Sequence, residues 1–320
     1  MLKYLSKKIT LQWIILLALL AFASFTIITK SQIAEATGTP FLFKNFAHLF
    51  TQHEFIGKGF VIFILLLQLI LIQYYYTKNE YATRNSVLPG CFFLSILLLT
   101  NSLIIISPFF FTLFFFLIII SINFTAGPDT LKNNVFLAGI LIALSTGFDI
   151  SSIVLLFLVM ATLIINQFYR IKEIGILFFG FFLLYFYFFS FNFFRDTLPE
   201  WLLTFQEIKF LGIFNSIIAN KGLTLFSSIS LGVVYLFFIL RFKFSSDTKV
   251  VIQRNRIVTL NTRAILMLAC IFISSSTFPM ALGYLFVHIA IYLAMLSQEK
   301  STFFLNELIT ILTLVALWLF

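Results

Sequence analysis

Apolar residues run in long blocks along this chain, and most of its polar residues fall between the blocks rather than within them. A bilayer core about 30 Å thick is crossed by roughly 20 helical residues. Eleven blocks approach that length: 11–29, 59–76, 88–106, 109–124, 135–147, 150–167, 174–193, 223–240, 264–278, 281–297 and 303–320. The pattern therefore predicts an all-α fold, a polytopic transmembrane helical bundle of eleven spans. No segment outside the blocks is large enough for a second domain, so residues 1–320 read as one membrane domain. The first block could mimic a signal peptide, with Lys7-Lys8 before it and Ala21-Phe22-Ala23 near its end. It stays apolar through Ile28, which favours an uncleaved anchor.

The connections differ in length. On the side opposite the amino terminus, three are tight turns: Ser107-Pro108, Gly147-Phe148-Asp149 and Thr277-Phe278-Pro279. Two others, 30–58 and 194–222, are long and carry helical amphipathic patterns. Leu42, Phe43, Phe46, Leu49 and Phe50 share one helix side, against Lys44, Asn45, His48 and Gln52. In the second loop Leu203, Phe210, Phe214 and Ile217 recur at helical spacing, although Glu207 breaks the pattern. Such helices either lie in the headgroup layer or simply pack as loop structure. The opposite side has short links and one basic loop, 241–263.

Charge sets the expected orientation. With the amino terminus cytoplasmic, fifteen Lys and Arg fall on the cytoplasmic side. Six, namely Lys30, Lys44, Lys58, Arg195, Lys209 and Lys221, fall outside. That is the bias of a multi-pass protein of a bacterial inner membrane. The formal charge of +9 does not indicate a nucleic-acid partner, because the basic residues punctuate apolar runs and form no basic domain. Composition agrees: 61% of residues are hydrophobic and 10% charged, and mean hydropathy is +1.07, against about 25% charged in soluble domains. The 46 Phe fit the codon usage of an AT-rich bacterial genome better than a ligand cage. Cys91 and Cys270 sit in separate apolar runs, which makes a disulfide or a thiolate metal site improbable.

Soluble-enzyme motifs are missing: no GxGxxG, Walker, HExxH, GxSxG or CxxC sequence occurs. What remains is a short inventory, mostly at the outer side. Glu35, just beyond the first span, is a candidate general base or a solvated loop carboxylate. His48, His53 and Glu54 are weak candidates for a divalent metal ion. The two histidines are five residues apart, which puts them about 140° apart around a helix. Asp149 either caps the helix that follows it or contacts substrate. Arg195 could hold lipid phosphate, pair with Asp196 or snorkel. Trp201 fits the interfacial aromatic belt, and His288 lies in mid-span, where ionisable groups draw attention.

The order of these features resembles the GT-C superfamily of polyprenyl-phosphate-sugar-dependent glycosyltransferases. The shared order is an inward amino terminus, a long first outer loop with an amphipathic helix, two tight outer turns, and a long outer loop after the seventh span. The resemblance covers residues 1–240, leaving 241–320 as the basic loop and the last three spans. Locally, Asn85-Ser86-Val87-Leu88-Pro89-Gly90 and the Phe/Leu-rich spans after it are similar to uncharacterised polytopic inner-membrane proteins of Bacteroidota. The superfamily resemblance implies transfer of a sugar from a polyprenyl-phosphate-linked donor during envelope glycan assembly. Glu35 would then be base or metal ligand, with Asp149, Arg195, Asp196 and Trp201 binding substrate. This chain has Glu where Asp is usual, and no acid at Ser107-Pro108. Two other readings stay open: a non-catalytic scaffold or subunit of an envelope assembly or secretion complex, and a transporter. Membrane lipids are expected partners in all three.

Overall fold

The computed structural model describes residues 8–33, 41–81, 86–100, 102–122, 124, 128–166, 171–199, 251–273 and 283–298, with 307, 310, 311 and 313. Its helices are α1 (Ile9–Lys30), α2 (Phe41–Gln52), α3 (Glu54–Lys78), α4 (Leu88–Leu99) and α5 (Pro108–Ser121). There follow α6 (Pro128–Phe148), a 3-10 turn (Ile150–Ile153) running into α7 (Val154–Ile165), and α8 (Ile171–Phe194). α9 (Val251–Ile273) and α10 (Gly283–Gln298) complete the described helices. Among the described residues the β structure is one two-residue parallel pair, Gln32↔Ile105 and Ile33↔Ile106.

Among the described residues four helices are long and apolar enough to cross a membrane: α1, α3, α6 from Thr130, and α8. Their outward faces are apolar as well. Trp13, Leu17 and Phe22 on α1 and Phe179, Phe182 and Phe186 on α8 are exposed, a girdle that water would not tolerate and lipid covers. α10 lies inside the bundle, with every residue from Tyr284 to Ser297 buried against neighbours that include α4, α9 and α5. A helix this apolar all round belongs in a core.

Hydrogen bonds fix the helix directions. Gln12 near the start of α1 accepts from Ser86 and from the Val87 N–H at the start of α4, and this end is called the near end. At the far end Lys58 donates to the Ile28 carbonyl in the last turn of α1. α1, α4, α6 and α8 run from near to far, and α3, α5 and α7 return.

The helices are unequal, and this reshapes several sequence expectations. At 1.5 Å per residue α4, α5 and α7 are only about 18–21 Å long, whereas α1, α3, α6 and α8 reach about 32–38 Å. The expected span 88–106 stops at Leu99, where the Thr100 hydroxyl bonds the Ile96 carbonyl and Ser102 N–H bonds Leu97. The chain then turns into the Ile105–Ile106 strand. The expected tight turn at Ser107-Pro108 is thus the end of a connection that starts at Thr100, with Pro108 opening α5. The expected span 150–167 is broken by a 3-10 turn and continues as a twelve-residue helix. Block 135–147, the shortest in the sequence, belongs to a 21-residue helix, because Pro128 starts it and Lys132, Asn133 and Asn134 fall inside its first two turns. The basic loop 241–263 is likewise corrected from Val251 onward, where it is already α9. The turn expected at Gly147-Phe148-Asp149 is shifted: α6 runs through Phe148, and the reversal is made by Asp149 and the 3-10 turn that follows it. Span 223–240, most of 303–320, the turn at 277–279 and residues 200–222 of the second amphipathic loop lie outside the described residues.

Candidate functional site

α5 starts low: Phe110 is level with Gln68, in mid-α3, whose amide donates to its carbonyl at 2.8 Å. The long helices stand past it and leave a recess at the far end. Into this recess α2 lays most of the apolar face that its sequence pattern predicts, Leu49 being the exception and exposed. Phe43 and Phe50 are buried, and the Phe46 ring meets Phe111, at the start of α5, edge-on at 4.5 Å. Phe111 in turn stacks on Phe148 at 5.0 Å. Leu42 packs so tightly on Gly147 that a Cβ there would come within 2.6 Å of its side chain.

Asp149 follows that glycine and is 8% exposed. Its N–H donates to the Ser145 carbonyl and its own carbonyl accepts from Ser152 N–H, each at 3.0 Å, so its backbone joins α6 to the 3-10 turn. Ser152 also bonds the Tyr284 hydroxyl at 3.1 Å, which ties the turn to α10. Arg195 lies past the end of α8, exposed, with its guanidinium 4.6 Å from the Phe191 ring centre. Asp196 takes a left-handed backbone (φ 56°) and donates its N–H to Phe193, the geometry that ends a helix. α6 and α8 are in register through the Tyr185 hydroxyl, which donates to Thr146 at 2.8 Å. Counting rise from that bond places Arg195 about 10 Å farther out than Asp149. The two are at the same end but do not form a contact pair.

The other sequence candidates are dispersed. His48 is exposed and bonded to Gln52, Glu54 pairs with Lys58, and His53 precedes α3 as an exposed cap residue. Among the described residues no group of three His, Cys, Asp or Glu side chains could hold a metal ion. Glu35 and Trp201 lie outside the described residues.

The near end holds a cluster that sequence reasoning missed. Arg263, on α9, is 5% exposed. Its Nε donates to Thr162 on α7 at 3.2 Å, and its Nη1 to the Tyr75 hydroxyl on α3 at 2.9 Å and to the Ile120 carbonyl on α5 at 3.4 Å. Tyr75 bonds Tyr81 at 3.0 Å. Loss of water around its hydroxyl, with Tyr75 beside it, holds the Tyr81 phenol well above its ordinary value, so Tyr81 brings no negative charge here. Lys78 donates to the Ser121 carbonyl at 2.8 Å and Arg256 to the Asn79 carbonyl at 3.2 Å. These cations therefore sit on the carbonyl ends of α3 and α5, the negative poles of their dipoles. On α10 His288 bonds the Tyr284 carbonyl and Tyr292 donates to Asn261 at 2.6 Å. His288 is thus satisfied by the backbone of its own helix. The signal for Arg263 was present in the sequence: a charged residue directly before an apolar block belongs to that block when the helix begins earlier.

Comparison with family models, with curated proteins and with solved structures finds no match.

Proposed function

We propose that this multi-pass membrane protein transfers a sugar from a polyprenyl-phosphate-linked donor at the outer face of a bacterial inner membrane. Its arrangement would be GT-C-like, with about eleven crossings and a cytoplasmic amino terminus. The observation that carries the reading is the far end: an amphipathic helix from the first long loop seated in a recess above short helices, beside the buried Asp149 turn. The seam between this apolar helix and the bundle lies at membrane depth, where a lipid-linked donor could enter sideways. In the reaction the acceptor hydroxyl attacks the anomeric carbon, Glu35 takes its proton, and the carbon–oxygen bond to phosphate breaks. The polyprenyl phosphate leaves with the electron pair. Arg195 holds that phosphate at the headgroup level, with Asp196 and Trp201 beside it, and Asp149 takes sugar hydroxyls below. An offset of about 10 Å between Arg195 and Asp149 suits a long donor gripped at two points. The described donors form no metal-binding set, and no step is routed through a metal. Glu35→Gln is expected to lower envelope glycan at least about 100-fold in cells that depend on this chain, and unchanged glycan would defeat the assignment.

A second reading, a membrane subunit of an envelope assembly or secretion complex, is favoured by the aromatic stripe on α8. Phe179, Phe182, Phe186 and Phe193 are each more than half exposed, as suits a helix–helix interface as well as lipid. Under that reading Glu35→Ala and Asp149→Ala leave growth and glycan unchanged, while Phe182→Ala with Phe186→Ala releases co-purifying proteins.

A further inference from the structure

Arg263 brings a full positive charge into the bundle and meets no carboxylate among the described residues. A buried cation is costly unless an opposing charge or a full set of acceptors offsets it. Its acceptors here are two hydroxyls and one carbonyl. The end of α5, to which that carbonyl belongs, supplies only about half a negative charge. A guanidinium has five N–H donors. Three are used, on Nε and Nη1, and the pair on Nη2 has no partner among the described residues. Tyr75 accepts from Arg263, so its own proton is available to Tyr81, and the Tyr81 O–H is then available to a ligand. Tyr81 is half-buried and follows α3 at the near end, which links the cluster to that membrane face.

We infer that Arg263 is the receptor for a phosphate group that reaches the near end of the bundle, carried by an anionic phospholipid headgroup or as free phosphate. Nη2 can give a phosphate oxygen a charge-assisted N–H hydrogen bond, and the uncompensated guanidinium charge supplies the rest of the attraction. The nearby cations offer no equal site, because Arg256 is bound to Glu80 at 2.6 Å and Lys78 to the Ser121 carbonyl. The inference is independent of sugar transfer, which concerns the other end.

The test is native mass spectrometry of the full chain released from detergent, with phosphatidylglycerol, phosphatidylcholine or inorganic phosphate added. The wild type is expected to keep one phosphatidylglycerol in preference to phosphatidylcholine. Arg263→Gln should lower that occupancy about tenfold or more, and Arg256→Gln should leave it unchanged. If inorganic phosphate displaces the lipid from the wild type, free phosphate shares the site. Equal retention by wild type and Arg263→Gln overturns the inference, as does a wild type that holds neither phosphatidylglycerol nor phosphate. Should Arg263→Gln fail to fold, Arg263→Lys, which keeps the charge but loses the planar Nη2 donor, is expected to lower the occupancy several-fold, and undiminished retention by it overturns the inference. Thermal unfolding of the wild type must also rise with phosphatidylglycerol over phosphatidylcholine, and equal melting in both lipids counts against the site.

Discussion

Among the described glycines, two meet backbone at closest range. A Cβ on Gly139 would lie 2.3 Å from the Leu177 carbonyl oxygen, and one on Gly180 would lie 2.5 Å from that of Phe136. Backbone cannot yield as a side-chain tip does, so Gly180→Ala is expected to cost about 1–3 kcal/mol. Gly175, in the same helix with nothing within 4 Å, should accept Ala at no cost or with a gain of up to about 1 kcal/mol. Thermal unfolding in one detergent compares the pair, and equal melting of the two variants would contradict the close approach. At the near end Thr162→Val keeps the shape but removes the acceptor of the Arg263 Nε–H. It should lower stability by about 1–3 kcal/mol, the usual cost of orphaning a charged donor, read in the same assay. Residues of this kind were hard to see in advance. Gly139 and Gly180 are ordinary letters until two helices cross, and Arg263 read as loop because its charge seemed to end a span.

At the scale of elements, α2 was legible and the short helices were not. The pairing of Phe43 and Phe50 on one side, seven residues apart, is a local property, and both are buried as that spacing requires. The end of α4 is decided by hydroxyls returning to their own carbonyls and by a strand that pairs with Gln32–Ile33, seventy residues upstream. The polar triplet Thr100-Asn101-Ser102 marks the stop, but nothing within the apolar run 103–106 marks the change from helix to strand. Phe46→Ala should remove the edge-on contact with Phe111 and loosen α2 from the bundle by about 3 kcal/mol. Limited proteolysis between 41 and 53 is expected to become at least several-fold faster, whereas Leu49→Ser, at an exposed position, should cut like the wild type. Identical cutting of Phe46→Ala and wild type would mean that α2 is held by something other than its phenyl rings.

For the whole molecule the decisive quantity is which end faces the cytoplasm. Described cations of the near end (Lys8, Lys78, Lys132, Lys172, Arg254, Arg256, Arg263) outnumber those of the far end (Lys30, Lys44, Lys58, Arg195), and several of the former bond helix carbonyls as well. With Cys91 and Cys270 replaced by Ser, single cysteines placed at His53 and Lys8 should differ: an impermeant maleimide added to intact spheroplasts is expected to tag His53→Cys and spare Lys8→Cys. The reverse result would invert the protein and remove the outer-face reading of Asp149 and Arg195. The backbone contact between α6 and α8 also bears on biogenesis. α6 is the least apolar of the four long helices, and the surface that receives it is synthesised only after α7. A nascent chain released as far as Asn166 therefore holds one crossing that the lipid alone retains weakly, and its commitment to the bilayer waits for residues 171–194 to leave the ribosome. Chains truncated at Asn166 and at Asp196, compared by protease protection, would show that delay as a segment digested in the first and sheltered in the second.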